Sequence, residues 1–254
     1  MTGWLRMPDA TLTEIRFLSP DAFKAWTRCK KQYYFKYGKK YLWPSDDRHF
    51  SLGKDVHKLL DYHARGLNCA ALLESADDKV RVSFEKLLAH PISHWSTLAS
   101  EWGFHVPVHV PGAPVWLVGR MDRIARQDGL IWIIDWKTGT GVPKNPEEDW
   151  QTRVYLYALL EIARAPLPNT VLHQPDLPAE SLRFCYVEVK TGDQPVRLET
   201  VEYSEQKHTE TRRLLEQHCS AMVVESTFAL PSKCPDRYCP YRTVCGIESQ
   251  PPFA

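Results

Sequence analysis

Leu130-Ile131-Trp132-Ile133-Ile134-Asp135-Trp136-Lys137-Thr138-Gly139 is the stretch on which the reading of this chain turns. Its apolar run reads as a strand buried on both faces. Side chains along a strand alternate, so Asp135 and Lys137 project to one side and Trp136 to the other. A carboxylate and an ammonium at the end of a core strand are costly unless they pair or serve a metal. Upstream, Val118-Gly119-Arg120-Met121-Asp122-Arg123-Ile124 is a second strand-like segment with its own acid. Asp128-Gly129 between the two is a strong hairpin-turn signal. A hairpin brings Asp122 close to Asp135. Two clustered carboxylates beside a lysine suit a hard divalent cation and a phosphodiester. A buried Asp–Lys pair with an unrelated surface acid is the plainer alternative.

Around that hairpin, 254 residues are enough for one large domain with a real core. No apolar run approaches the roughly 20 residues that span a bilayer. The first residues lack the apolar stretch of a signal peptide, so a cytoplasmic protein without a membrane anchor is expected. Lys+Arg number 32 and Asp+Glu 31, a formal charge of +1. That balance excludes a protein that coats nucleic acid by overall charge, and any such contact needs a local basic groove.

Residues 1–13 read as a loose leader. Ser19-Pro20-Asp21 starts a helix with Ser at the N-cap and Pro at N1, expected to run to about Tyr37. Ala22, Trp26, Cys29 and Tyr33 would share its inward face. Further helices are expected from about Ser51 to Gly66 and from Ala70 to His90. Strands follow at Glu101–Val110, Val115–Arg126 and Leu130–Lys137. A helix from about Glu148 to Arg164, a hairpin of Ser181–Lys190 with Val196–Tyr203, and a helix from Ser204 to Glu225 complete the order. Such an order suggests an α/β sheet flanked by helices, wrapped by N- and C-terminal helical layers.

Asp122 and Asp135 are the candidate acid ligands, with the backbone carbonyl of Trp136 beside them. Lys137 would orient or deprotonate an attacking water, or neutralise charge on a phosphate. His57, on the Val56/Leu60 side of its helix, reads by itself as a core histidine. Glu101 is either a further acid ligand or a solvated strand-start residue. Gln151 and Tyr155 lie one helical turn apart and share a face. Arg28, Lys30, Lys31, Tyr33 and Lys36 form a basic, aromatic segment suited to phosphate contacts and base stacking, or to a packed helix with a solvated face.

Seven cysteines in a chain of this kind favour metal or redox roles over disulfides. Cys234, Cys239 and Cys245 are separated by four and five residues in a Pro-rich tail. Cys29 is the best candidate for a fourth ligand. Four thiolates hold zinc or an iron–sulfur cluster, and spacing does not choose between them. Either would pin the tail to the first helix, closing a loop of about 200 residues.

Taken together, Cys29, His57, Gly119-Arg120-Met121-Asp122-Arg123, Asp135-Trp136-Lys137-Thr138-Gly139, Gln151 with Tyr155, and Cys234/Cys239/Cys245 resemble the PD-(D/E)xK nuclease superfamily. The set is similar to its RecB-type branch with an iron–sulfur cluster, which includes the AddB nuclease domain and CRISPR-adaptation exonucleases. The resemblance covers about Ser19 to Gly246. It implies a restriction-endonuclease-like mixed sheet flanked by helices, its N- and C-terminal segments joined by a metal cluster on four cysteines. The whole of 14–254 would be one domain, with a cluster subdomain from about 19–45 and 226–246. It implies Mn²⁺ or Mg²⁺ on His57, Asp122, Asp135 and the Trp136 carbonyl, Lys137 as the catalytic lysine, and Gln151 and Tyr155 as the motif that follows it. It implies a 4Fe–4S cluster on Cys29, Cys234, Cys239 and Cys245, with zinc as the alternative. The family commonly has two residues between the first two tail cysteines; this chain has four. The function implied is a metal-dependent DNA exonuclease acting at single strands or ends, aided by a helicase or integrase partner, since no GxxxxGK[ST] loop is present. The other reading is a non-catalytic DNA-binding or assembly module.

Overall fold

A computed structural model describes residues 16–41, 47–139, 141–166, 172–190, 194–225, 228, 234 and 239–245, with backbone alone for 47–51. The expected leader and parts of the cysteine-rich tail lie outside the described residues. Six strands among the described residues form one mixed sheet: β1 (Arg16–Leu18), β2 (Ser96–Val108), β3 (Val115–Gln127), β4 (Leu130–Lys137), β5 (Leu182–Glu188) and β6 (Arg197–Glu202). The helices are α1 (Pro20–Arg28), α2 (Lys30–Tyr33), α3 (Asp47–Ala64), α4 (Ala70–Glu74), α5 (Asp78–Ala89), α6 (Trp150–Arg164), α7 (Glu205–Val224) and α8 (Arg242–Cys245). The mixed α/β architecture implied by the sequence is the one observed.

The Asp128-Gly129 hairpin forms as expected. Both residues have positive φ, 51° and 76°, which a two-residue turn of the favoured hand requires. β3 is the long central strand. One edge pairs antiparallel with β2 from Val108↔Val115 to Ser96↔Arg126. Its other edge is shared. β1 runs parallel to it only at residues 115–117, and β4 pairs antiparallel from Gln127↔Leu130 to Arg123↔Ile134. The other edge of β4 pairs in parallel with β5 from Ile131↔Leu182 to Lys137↔Glu188, and beyond Ile134 that is its one ladder among the described residues. β3 and β4 therefore part at Asp122 and Asp135, and the fold opens there.

Alternation along β4 sorts two cores. Ile131 and Ile133 pack with Phe184, Tyr186 and the α6 residues Leu156 and Leu159. Ile134 and Trp136 face the other way, onto Val56 and Leu60 of α3 and Phe84 and Leu87 of α5. Each fully buried aliphatic or aromatic side chain contributes roughly 1.5–3 kcal/mol. Asp135 and Lys137 continue the Ile131/Ile133 row, which aims them at the start of α6.

Four expectations are corrected. The first helix does not run unbroken to Tyr37. Cys29 adopts φ −161° and ψ 112°, ending α1; a short α2 and a π-helical turn over Tyr34–Gly38 follow. The break lets Trp26 and Tyr33 face the main core while Phe35 turns to a separate cluster with Cys239 and Tyr241. Cys29 is thus half-buried at a junction rather than on a shared inward face. The Ala70–His90 helix is two, because Asp77 caps a fresh start by accepting from the Lys79 N–H. β2 begins at Ser96, which leaves Glu101 inside it. β1, three residues long, carried too little pattern to be anticipated.

Candidate active site

The site is a cleft of about 1060 Å³ lined by α3, β2, β3, the end of β4 and Tyr155 of α6. β3 residues beyond the ladder have lost strand partners on that edge, and side chains replace them. The carboxylate Oδ2 of Asp122 accepts the Trp136 backbone N–H at 2.9 Å. The Tyr155 hydroxyl donates to the Arg120 carbonyl at 2.8 Å. Buried backbone polar groups need such partners. Here the partners are the residues that the sequence singles out.

Asp135 is 3% exposed. Lys137 Nζ lies 2.6 Å from its Oδ2, and Gln151 Nε2 donates to its Oδ1. Lys137 also donates to Gln151 Oε1 at 3.2 Å. Gln151 is itself fixed by its backbone N–H, which donates to the Asp149 cap at 2.8 Å. Burial, reinforced by the Asp122 charge, pushes the Asp135 carboxyl up against the opposing pull of Lys137. An ammonium carries three hydrogens, so Lys137 keeps one for the cleft it lines.

Across the opening stand His57, Glu101 and Asp122, whose ligand atoms all lie within 4.8 Å of one another. His57 Nδ1 is 3.5 Å from Asp122 Oδ2, and its Nε2 meets the Trp136 carbonyl oxygen at 3.0 Å. Burial pulls the His57 pKa down, but Asp122, Asp135 and the Trp136 carbonyl together raise it. His57 does not sit on the Val56/Leu60 side. Lys54, His57, Lys58 and Asp61 form the cleft-facing stripe of α3, at the spacing of one helical face.

Glu101 has φ +47° in the middle of β2, where the cross-strand register runs unchanged from Ser100↔Arg123 to Trp102↔Met121. A left-handed non-glycine residue inside a strand is strained, and strain of this kind collects at functional sites. Glu101 falls opposite Asp122, and the register of β2 on β3 sets the two acids side by side. Burial and the Asp122 charge raise the Glu101 carboxyl. Its Oε2 meets Arg120 Nε at 3.0 Å.

Gly119 allows Tyr155 and Phe104 to cross β3. A Cβ there would lie 2.7 Å from the Phe104 ring and 3.0 Å from Tyr155. Burial raises the Tyr155 pKa and keeps the phenol protonated as a donor.

The structure thus brings together His57, Glu101, Asp122, Asp135, Trp136, Lys137, Gln151 and Tyr155. The basic segment is different. Tyr33 is 7% exposed and packed against Trp26 and Tyr37, so it offers no face for a base. Lys30 pairs with Glu225 at 2.7 Å, and Lys31 and Lys36 lie over aromatic rings. Lys54, Lys58 and Arg120 are the basic residues that line the cleft with Lys137. Lys54 and Lys58 belong, with His57 and Asp61, to an i, i+3, i+4, i+7 polar stripe on α3 that is legible in the sequence.

Three of the four cysteines expected to share a metal cluster lie together. Cys234, Cys239 and Cys245 pack with Tyr34, Phe35 and Tyr241. Burial raises the Cys245 thiol, and Cys29 and Cys234 are near enough to raise it further. None of the described cysteines is in a disulfide.

A family model described as the PD-(D/E)XK nuclease superfamily matches residues 17–246. Among solved structures, SSO0001 resembles the chain at TM-score 0.46 and 15% identity, over 93% of this chain and 88% of that one. A protein from Eubacterium rectale, provisionally named an exonuclease, resembles it at TM-score 0.49 and 13% identity, over 82% of this chain and 80% of that one. No curated protein sequence matches it significantly. No helix among the described residues is long and apolar enough to cross a membrane.

Proposed function

The chain belongs to the PD-(D/E)XK nuclease superfamily, and from that premise we propose that it hydrolyses phosphodiester bonds of DNA, with a divalent cation, as an exonuclease at single strands or ends. The observation that carries the reading is the convergence of His57, Glu101 and Asp122 on one point, beside the Asp135–Lys137–Gln151 relay. Two carboxylates, an imidazole and a nearby carbonyl are a donor set that fits Mn²⁺ or Mg²⁺. His57, Glu101 and Asp122 would hold the ion, with Asp135 and the Trp136 carbonyl adjoining. Bound there, it would act as a Lewis acid and lower the pKa of a water.

The protein's own groups do the rest. Lys137, held in place by Asp135 and Gln151, directs a hydrogen at the attacking water and at the charge that builds on the phosphoryl oxygens. That water gives up a proton to solvent as its oxygen bonds to phosphorus, the P–O bond to the leaving nucleotide breaks, and the departing oxygen takes a proton from solvent. Gln151 does not touch the phosphate; it fixes both Asp135 and Lys137. Lys54 and Lys58 along α3 supply the local positive charge that the chain as a whole lacks. Helicase or integrase partners that present DNA ends belong to the same proposal.

Cys29, Cys234, Cys239 and Cys245 are proposed as thiolate ligands of a 4Fe–4S cluster pinning the tail to the α1–α2 junction, with zinc as the alternative.

The test is cleavage of end-labelled linear and circular DNA, single- and double-stranded, with Mn²⁺ or Mg²⁺. Wild type should release nucleotides from linear strands and spare circles, and Lys137→Ala should release none. A wild type that binds strands and never cuts, in either metal, would point to the non-catalytic module. Cutting of circles would make it an endonuclease.

A further inference from the structure

The cleft contains a cation in the wrong place for a finished metal site. The Arg120 guanidinium pairs through Nε with Oε2 of Glu101, one of the three converging residues, at 3.0 Å. Arg120 is nonetheless 69% exposed along its side chain, whereas Glu101 is only 27% exposed. Its strand position is firm, because its carbonyl is held by Tyr155 and its neighbour Gly119 is pressed by Phe104 and Tyr155. Across β2 it faces Gly103, which has no side chain to confine it. The guanidinium is therefore exposed on a fixed backbone, and it lines the same cleft as Lys54, Lys58 and Lys137.

From this arrangement we infer that Arg120 is a substrate-binding residue gated by the metal. Without a divalent ion it neutralises Glu101. When the ion takes the Glu101 carboxylate, Arg120 is displaced and swings into the cleft to grip a phosphate of the strand. Metal loading thus arms a phosphate clamp next to the reacting bond. The inference rests on the metal-site reading above and adds the order in which metal and strand engage.

Two opposite consequences follow from one substitution. An exposed ion pair is weak, so the metal gains only modestly when its competitor is removed. Arg120→Ala should bind Mn²⁺ about two- to fivefold tighter than wild type. The same variant should bind a strand more weakly, but only when the metal site is filled. A residue needed merely for the fold would not improve one affinity while impairing the other.

The experiment uses the full chain. Mn²⁺ is titrated calorimetrically into wild type and Arg120→Ala. A fluorescent single-stranded oligothymidylate is then titrated with each protein in Ca²⁺, which permits binding without turnover, and in EDTA. We expect tighter Mn²⁺ binding by the variant. In Ca²⁺ we expect weaker strand binding, with the slope of log K against log salt reduced by about 0.7. In EDTA the two proteins should bind the strand alike. Arg120→Lys, which keeps charge but not the planar fork, should restore part of the strand affinity in Ca²⁺. Equal losses in Ca²⁺ and EDTA, or weaker Mn²⁺ binding by Arg120→Ala, would overturn the gating while leaving the metal site standing. A wild type that binds no Mn²⁺ would overturn both.

Discussion

Replacing Gly119 by Ala should damage the site through a single methyl group. The added Cβ would sit 2.7 Å from two Phe104 ring carbons and 3.0 Å from a Tyr155 ring carbon, against about 3.5–4.0 Å for an ordinary carbon contact. Neither ring has room to retreat. Phe104 is 6% exposed, and the two rings meet edge to face at 5.5 Å. Overpacking of this kind costs about 1–3 kcal/mol. Removing a strand glycine recovers roughly 0.5–1 kcal/mol of chain entropy. The net change should be a loss of roughly 0–2.5 kcal/mol, a fall in Tm of up to about 10 °C for a chain of this size. Displacing Tyr155 should also loosen its bond to the Arg120 carbonyl and lower cleavage more than the stability change alone explains. Thermal and urea unfolding beside a cleavage rate will show both. Adding Phe104→Leu should recover part of the loss, since it removes ring atoms the methyl meets. A Gly119→Ala protein as stable and as active as wild type would refute the reasoning.

Gln151→Ala should keep the fold and cut cleavage about 10- to 100-fold, as loss of a group that orients active-site residues commonly does; single-turnover kinetics and unfolding curves will separate the two effects. Arg123→Met should cost about 3–5 kcal/mol, because the buried guanidinium donates to the carbonyls of Ile92, Ser93 and Trp95 and to Thr97, which urea unfolding will measure. Glu161 is held below the ordinary carboxylate value of 4.5 first by His208 and then, against burial, by Arg212. Its folded pKa is depressed, so its contribution is complete above pH 4.5 and fades as pH falls through the lower folded value. Glu161→Gln should therefore cost about 1 kcal/mol near neutrality, and the difference from wild type should shrink in unfolding curves taken below pH 4.5.

The hairpin was legible because its signals are local. A two-residue turn with positive φ, an apolar run and strict alternation suffice to set Asp122 near Asp135. Gln151 and Tyr155 shared a face by helical spacing, but their reach to β4 and β3 depends on how α6 crosses the sheet. Glu101 was undecided because a lone acid in a strand-like segment carries no local signal for a positive φ. His57 was assigned to the wrong stripe of α3, since Val56 and Leu60 adjoin it in sequence while Lys54, Lys58 and Asp61 share its face. The break at Cys29 has no local cause: Arg28-Cys29-Lys30 contains no helix breaker. It follows from two halves packing on different clusters. The second break, before Asp77, had a legible cap that the continuous helical pattern masked.

The most direct check on the central claim is the equilibrium binding of Mn²⁺ to wild type and to Asp122→Ala, with circular dichroism to verify the fold. Asp122 stands in the converging trio and accepts the Trp136 N–H. Wild type should bind one ion at the site, and the folded variant should bind it at least about tenfold more weakly. Equal affinity in the two proteins would contradict the account.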